Sequence, residues 1–195
     1  MKNYLKNRKI LEDGHVYSKS MEHDACGVGL IASTEGKKSR KVVEYGIDAL
    51  KAVFHRGAVD ADGKTGDGAG IHLEIPSDFF AEKIELTGHK HDGSEICVGM
   101  IFLPRNNYEA QENARTLVES ELTKSNFSIY GWRQVPVNTK VLGEKANFTR
   151  PEITQVLFKN NNKSLKGKDL ERKLYESRRK IEKEAIKNAI EGFYI

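Results

Sequence analysis

An α+β fold, with sheets flanked by helices, is what three observations on this 195-residue sequence predict. Short apolar runs of strand length are bounded by glycine or polar turns. Between them lie segments whose apolar residues recur every three or four positions, the spacing of an amphipathic helix. Runs of both kinds interleave along the chain, so the two element types should share one layered core. A content of 38% hydrophobic and 31% charged residues is ordinary for one globular domain.

The elements follow in order. Residues 1–25 mix Lys2, Lys6, Arg8 and Lys9 with Glu12, Asp13, Glu22 and Asp24, and form a polar leader without the apolar centre of a secretory signal. Cys26 to Ser33 is an apolar run ended by Gly36 and predicts a buried strand. Val43, Ile47, Leu50 and Phe54 predict a helix stopped by Gly57, which sets Arg56 where helix gives way to loop. Residues 57–68, rich in glycine and aspartate, predict that loop. Ile71 to Ile75 predicts a second strand, and Pro76-Ser77 opens a short helix carrying Phe79, Phe80 and Ile84.

Glu95 to Leu103 predicts the third strand, and Tyr108 to Leu122 a helix with Ala110, Ala114, Leu117 and Val118 on one side. Ser128 to Val137 and Ile153 to Phe158 predict two more strands. A polar turn follows over 159–168. Leu170, Leu174, Ile181, Ala185 and Ile190 then mark a long helix running to Gly192, whose Lys/Arg/Glu face is a solvated surface. Phe193-Tyr194-Ile195 has the character of a strand just begun, and a domain that stops inside an apolar run is expected to be truncated.

Composition also excludes function classes. The net charge of +4 is small, and basic residues are interspersed with acidic ones. No aromatic-basic interleaving supports nucleic-acid binding. No segment reaches the ~18 consecutive apolar residues of a membrane helix. Cys26 and Cys97, the two cysteines, are far apart with no paired spacing, which argues against a disulfide framework or structural zinc and suits a reducing cytoplasm. His89 and His91 lie in a Gly/Asp/Lys-rich turn that reads as solvated loop rather than metal site.

Chemistry concentrates at Asp24-Ala25-Cys26-Gly27-Val28-Gly29. Cleavage before Cys26 would put a thiol nucleophile and a free α-amine on one residue, and that amine, with a pKa near ~8, can serve as its base. Gly27 and Gly29 would let a substrate approach the backbone. A lone cysteine beside an apolar run is more often a packed hydrophobe, so the weight falls on a second constellation: His55-Arg56-Gly57-Ala58, then Thr65-Gly66-Asp67-Gly68-Ala69-Gly70-Ile71. The glycine series does not fit a dinucleotide loop, because Ile71 stands where the third glycine would be. Asp67 admits two roles, a turn-former and a residue lining a site. Trp132 is assigned to packing.

These motifs, in this order, resemble the N-terminal class II glutamine amidotransferase domain of the glutamate synthase large-subunit family. The resemblance continues through Ile75-Pro76-Ser77-Asp78-Phe79-Phe80 and Gly131-Trp132-Arg133-Gln134-Val135-Pro136, and more weakly through Arg150-Pro151-Glu152-Ile153-Thr154-Gln155. It implies a four-layer α-β-β-α N-terminal-nucleophile fold. It also implies a propeptide, residues 1–25, removed to leave the amidotransferase part, 26–195, beginning at Cys26.

By the same resemblance Cys26 would attack the side-chain amide of glutamine, forming a thioester and releasing ammonia. Arg56 would hold the N-terminal loop and favour the thiolate; Gly27, Gly57 and Asp67 are candidates to line the site, with Asp67 still open between that role and a turn-former. No metal is implied here. The ammonia would aminate 2-oxoglutarate in the rest of the large subunit, which carries FMN and an iron–sulfur cluster and pairs in some cases with a small subunit. The family's oxyanion Asn-Gly pair is not identifiable before Ile195, so this chain alone is expected to fall short of full activity. Two other readings stand beside this one: the amidotransferase part of a different ammonia-using synthase, and a non-catalytic remnant.

Overall fold

The computed structural model describes residues 2–14, 18, 27–54 and 57–195. The chain divides into two compact units, the first comprising residues 1–58 and 68–71 and the second 59–67 and 72–195. The predicted positions Cys26, His55 and Arg56 lie outside the described residues.

Among its described residues the first unit holds two α-helices. Helix α1, Lys2–Asp13, occupies the polar leader and carries an Arg8–Glu12 ion pair at 3.1 Å, one turn apart. Helix α2, Arg40–Ala52, starts at Ser39, whose side chain accepts from the Lys41 N–H at 3.2 Å. It ends at Ala52, short of the predicted stop at Gly57, because Val53 leaves the helical conformation at φ −92° and ψ 9°.

Two predicted strands are corrected here. Residues 27–33 and 71–75 carry no ladder pairing among the described residues. Val28 is 93% and Leu30 89% exposed, so the first run is not buried. An apolar run gives strand propensity, but a strand forms only where a second strand supplies hydrogen-bond partners.

The second unit is built on one antiparallel sheet: β1, Ile96–Leu103; β2, Phe127–Gln134; and β3, Glu152–Asn160, in the order β1-β3-β2. This is the one sheet among the described residues, where the sequence predicted two. Helices α4, Tyr108–Lys124, and α6, Gly167–Lys187, bring Ala114, Val118, Leu122, Leu170 and Ile181 onto Ile101, Leu103, Val156 and Phe158. Several of these side chains are wholly buried, each worth about 1.5–3 kcal/mol of transfer free energy. In a second core cluster, helix α3, Ser77–Glu85, packs Phe80 and Ile84 against Ile96, Tyr130 and Leu157.

Buried polar groups on these helices are satisfied. Gln111 donates to Pro104 O at 2.9 Å and Arg105 O at 3.3 Å, and Glu121 pairs with Lys124 at 2.6 Å. Trp132 packs against the α4/α6 core as predicted, and its Nε1 donates to Glu119 at 2.6 Å. Cys97 is buried in the same core.

Two ends differ from prediction and a third agrees with it. Strand β2 stops at Gln134, just ahead of Pro136, which has no N–H to continue a ladder. Helix α6 stops at Lys187, because Ala189 takes a left-handed conformation (φ 50°) and Ile190 N–H reaches back to Ala185 O at 3.0 Å, a closure usually given to glycine. Tyr194 pairs with Phe102 on the free edge of β1 through two backbone bonds of 2.9 and 3.1 Å, which realises the strand begun at 193–195.

Candidate functional site

In the first unit, Gly27 sits beside the end of α2: a Cβ built at Gly27 would stand 3.9 Å from Val53 Cβ. The segment that follows Cys26 thus runs next to the helix end that leads towards Arg56. Gly57 donates its N–H to Phe54 O at 3.0 Å, so the turn after α2 is hydrogen-bonded. Cys26 and Arg56 themselves lie outside the described residues.

Asp67 belongs to the second unit, on the loop predicted for residues 57–68. That loop is more ordered than its composition suggests. Val59 pairs with Gly66, and Asp60 N–H donates to Thr65 O at 2.7 Å, which closes a hairpin directly before Asp67. Asp67 is exposed at the hairpin's exit.

Inside the hairpin the organising group is Asp62, which sequence reasoning passed over. Its carboxylate accepts from Lys64 N–H at 2.9 Å, Thr65 N–H at 2.6 Å and the Thr65 hydroxyl at 2.6 Å. The Thr65 hydroxyl, then the Thr65 and Lys64 amides, hold the Asp62 carboxyl down at about 2. Asp60 is lowered as well, first by its hydrogen bond to Lys145, whose own pKa is raised in return.

The hairpin rests on helix α5, Glu144–Thr149. Lys145 Nζ meets Asp60 at 2.6 Å and Ala146 N–H donates to Thr65 Oγ1 at 3.4 Å. At Gly143 the Asp62 carboxylate, the Thr65 hydroxyl and the Thr65 amide fill the space a Cβ would need. The signal available in the sequence was the spacing Asp60-x-Asp62-x-x-Thr65, an Asx-turn pattern. Its partner lies some eighty positions away and could not be read locally.

A second polar cluster surrounds Tyr130. Its hydroxyl donates to Asp92 at 3.0 Å, Lys159 pairs with the same carboxylate, and the rings of His89 and His91 stand edge-on to it at 6.4 and 6.2 Å. The two histidines therefore frame a tyrosine rather than each other. No group of three or more His, Cys, Asp or Glu side chains among the described residues could hold a metal ion. No helix among them is long and apolar enough to cross a membrane.

Comparison with known proteins places residues 26–195 in a match to the family described as glutamine amidotransferases class-II. The chain is 51% identical over 189 residues to the glutamate synthase [NADPH] large chain of Azospirillum brasilense, covering 97% of this chain and 12% of that protein. It is 39% identical over 175 residues to ferredoxin-dependent glutamate synthase 2 of Synechocystis, covering 89% of this chain and 11% of that one. A chloroplastic ferredoxin-dependent glutamate synthase 2 of Arabidopsis thaliana is 39% identical over 163 residues, 83% of this chain and 10% of its own length. The chain thus spans about one eighth or less of each relative.

Proposed function

This chain belongs to the class-II glutamine amidotransferases, and from that premise we propose that it is the glutaminase part of a glutamate synthase, with Cys26 as its nucleophile. The family match begins at residue 26, the position where a cysteine would become N-terminal. That coincidence carries the proposal. The nearness of Gly27 to Val53 supports it, since a Cβ at Gly27 would stand 3.9 Å from the Val53 side chain at the end of α2.

In this reading residues 1–25 are removed. The freed α-amine takes the Cys26 thiol proton, and the thiolate attacks the amide carbon of glutamine. The amine returns the proton to the departing ammonia, leaving a γ-glutamyl thioester that water hydrolyses to glutamate. Arg56 favours the thiolate by its charge and holds the N-terminal loop by its planar donors.

The ammonia is used elsewhere in the parent protein, in the reductive amination of 2-oxoglutarate. FMN and an iron–sulfur cluster would belong to that region, together with any small subunit. The residues here do not fit a cluster: the chain has two cysteines, and Cys97 is enclosed in the core. The sparse cysteines favour a reducing cytoplasm.

The test is Cys26→Ala in the complete synthase. Glutamine-dependent glutamate formation should vanish while ammonia-dependent formation continues, because the two chemistries occupy separate sites. Undiminished glutamine-dependent turnover would overturn the proposal.

A further inference from the structure

We propose that Arg105 and Arg150 form a recognition site for a short dicarboxylate, in a cleft of the second unit beside the turn after β1 and the end of α5. The cleft has a volume of about 280 Å³, and Leu103, Pro104, Pro151 and Tyr194 wall it. Sites for drug-sized molecules run to ~300–1,000 Å³, so this one suits an anion of few heavy atoms.

Both arginines are half-buried, and both bond to one residue. Arg105 Nη1 donates to Asn147 O at 3.2 Å, and Arg150 Nε donates to Asn147 Oδ1 at 2.8 Å. These acceptors are neutral, and neither guanidinium has a carboxylate partner among the described residues. Elsewhere in the chain Arg8, Arg40, Arg115, Arg178 and Arg179 each pair with a glutamate. Two like charges gathered on one asparagine repel each other, and a bound anion would offset that repulsion. Each guanidinium is a planar fork of donors of which Asn147 takes one, so the others can receive a carboxylate.

The backbone holds both side chains in place before a ligand arrives. Arg150 precedes Pro151, whose ring confines it to the extended conformation it adopts, φ −59° and ψ 135°. Buried Gln111 bonds Pro104 O at 2.9 Å and Arg105 O at 3.3 Å, which fixes the chain beneath the other guanidinium. Donors already in position lose little freedom on binding. The proline walls set the ligand class. A short dicarboxylate offers a carboxylate to each arginine and methylene groups to Pro104 and Pro151, whereas phosphate has no apolar part to cover them.

The experiment is equilibrium dialysis of labelled succinate against the full-length parent protein, as wild type, Arg105→Gln, Arg150→Gln and the double variant. Any other dicarboxylate site of the parent is common to all four, so differences among them read this cleft. Wild type should bind one equivalent more than the double variant. Each single variant should hold that equivalent about tenfold more weakly or worse, the usual loss of a hydrogen bond to a charged group. Arg105→Lys keeps the charge without the fork and should fall between Arg105→Gln and wild type. Succinamide, with neutral ends, should not compete.

Equal stoichiometry and affinity in wild type and the double variant would overturn the proposal. So would displacement of succinate by succinamide at equal concentration, or by inorganic phosphate more readily than by unlabelled succinate. Thermal midpoints are measured alongside. A lowered midpoint with succinate binding unchanged makes the two arginines structural and rejects the site. Should the double variant not fold, the single variants decide by the same comparison: weakened binding supports the site and unchanged binding rejects it.

Discussion

Lys159 reaches the Asp92 carboxylate across 67 residues of chain, and the other oxygen of that carboxylate accepts the Tyr130 hydroxyl at 3.0 Å. The lysine ammonium also stands 5.5 Å from the centre of the Tyr130 ring. A loop residue, a β2 residue and a β3 residue are thereby tied at one end of the sheet. Burial, and then the Asp92 hydrogen bond, push the Tyr130 hydroxyl up to about 12, so it stays a donor.

This tie makes stability sensitive to acid. Asp92 is lowered from 3.8, first by the Lys159 hydrogen bond and then by Ser94. A depressed carboxyl contributes stability that is present above its unfolded value near 3.8 and is lost as pH falls through the folded value. Asp92→Asn should therefore be less stable than wild type at pH 7 and show a shallower decline on acidification. Thermal midpoints between pH 7 and pH 2 check this, and parallel curves would reject it.

The alkaline side belongs to Cys97. Burial first, then Glu95 and Glu171, push its thiol from 9.0 up to about 12. A group raised in the folded state contributes stability that is full below its unfolded pKa and is lost as pH rises towards the folded one. The decline should run from about pH 9 upward and be shallower in Cys97→Ala, which itself should cost about 1 kcal/mol. Under native conditions at pH 8 a thiol reagent should leave Cys97 unlabelled. Rapid labelling there would contradict both burial and the raised pKa.

The mature protein should begin at Cys26, which N-terminal mass analysis reads directly. Fully active protein starting at Met1 would remove the α-amine from the mechanism. On that mature form, Arg56→Met should shift the alkylation profile of Cys26 to higher pH, because losing a nearby cation disfavours the thiolate. Arg56→Lys should fall between Arg56→Met and wild type in glutamine turnover. An unmoved profile would leave the amine as the sole activator.

Gly131→Ala should destabilise the second unit by about 2–4 kcal/mol, from backbone strain and overpacking together. Gly131 has φ 147°, and a Cβ there would stand 2.9 Å from the Thr87 side chain. Thr87 cannot simply turn aside, because its hydroxyl donates to Tyr130 O at 2.8 Å. Denaturant midpoints give the value, and a change below about 0.5 kcal/mol, the usual range for a neutral surface substitution, would refute the strain.

Legibility varied with how local the cause was. Strands β1 and β3 and helices α4 and α6 were readable because long periodic runs meet a core that matches their period. Residues 27–33 and 71–75 were misread because an apolar run looks the same whether or not a partner strand exists. The end of α6 was misplaced at Gly192 because Ala189 does what glycine usually does. Cys26, Arg56 and Asp67 were visible as motif residues. Asp62 was not, since Gly143 and Ala146, which give it meaning, become neighbours only through the fold.

The irregularity of β2 between Ile129 and Gly131 has a consequence for insertions and deletions. Phe127 and Ile129 face the α4/α6 core, and so does Trp132, because Tyr130 and Gly131 together take up one step of β3. A one-residue deletion here would remove the bulge and leave Trp132 opposite Val156, still on the side of Glu119 and Arg115. Deleting both Tyr130 and Gly131 would instead set Trp132 opposite Leu157 and send it to the far side. Length variation among related sequences should accordingly tolerate the loss of one residue between Ile129 and Trp132 but not of two, whereas the adjoining turn at 135–138 lies outside the ladder and can absorb either.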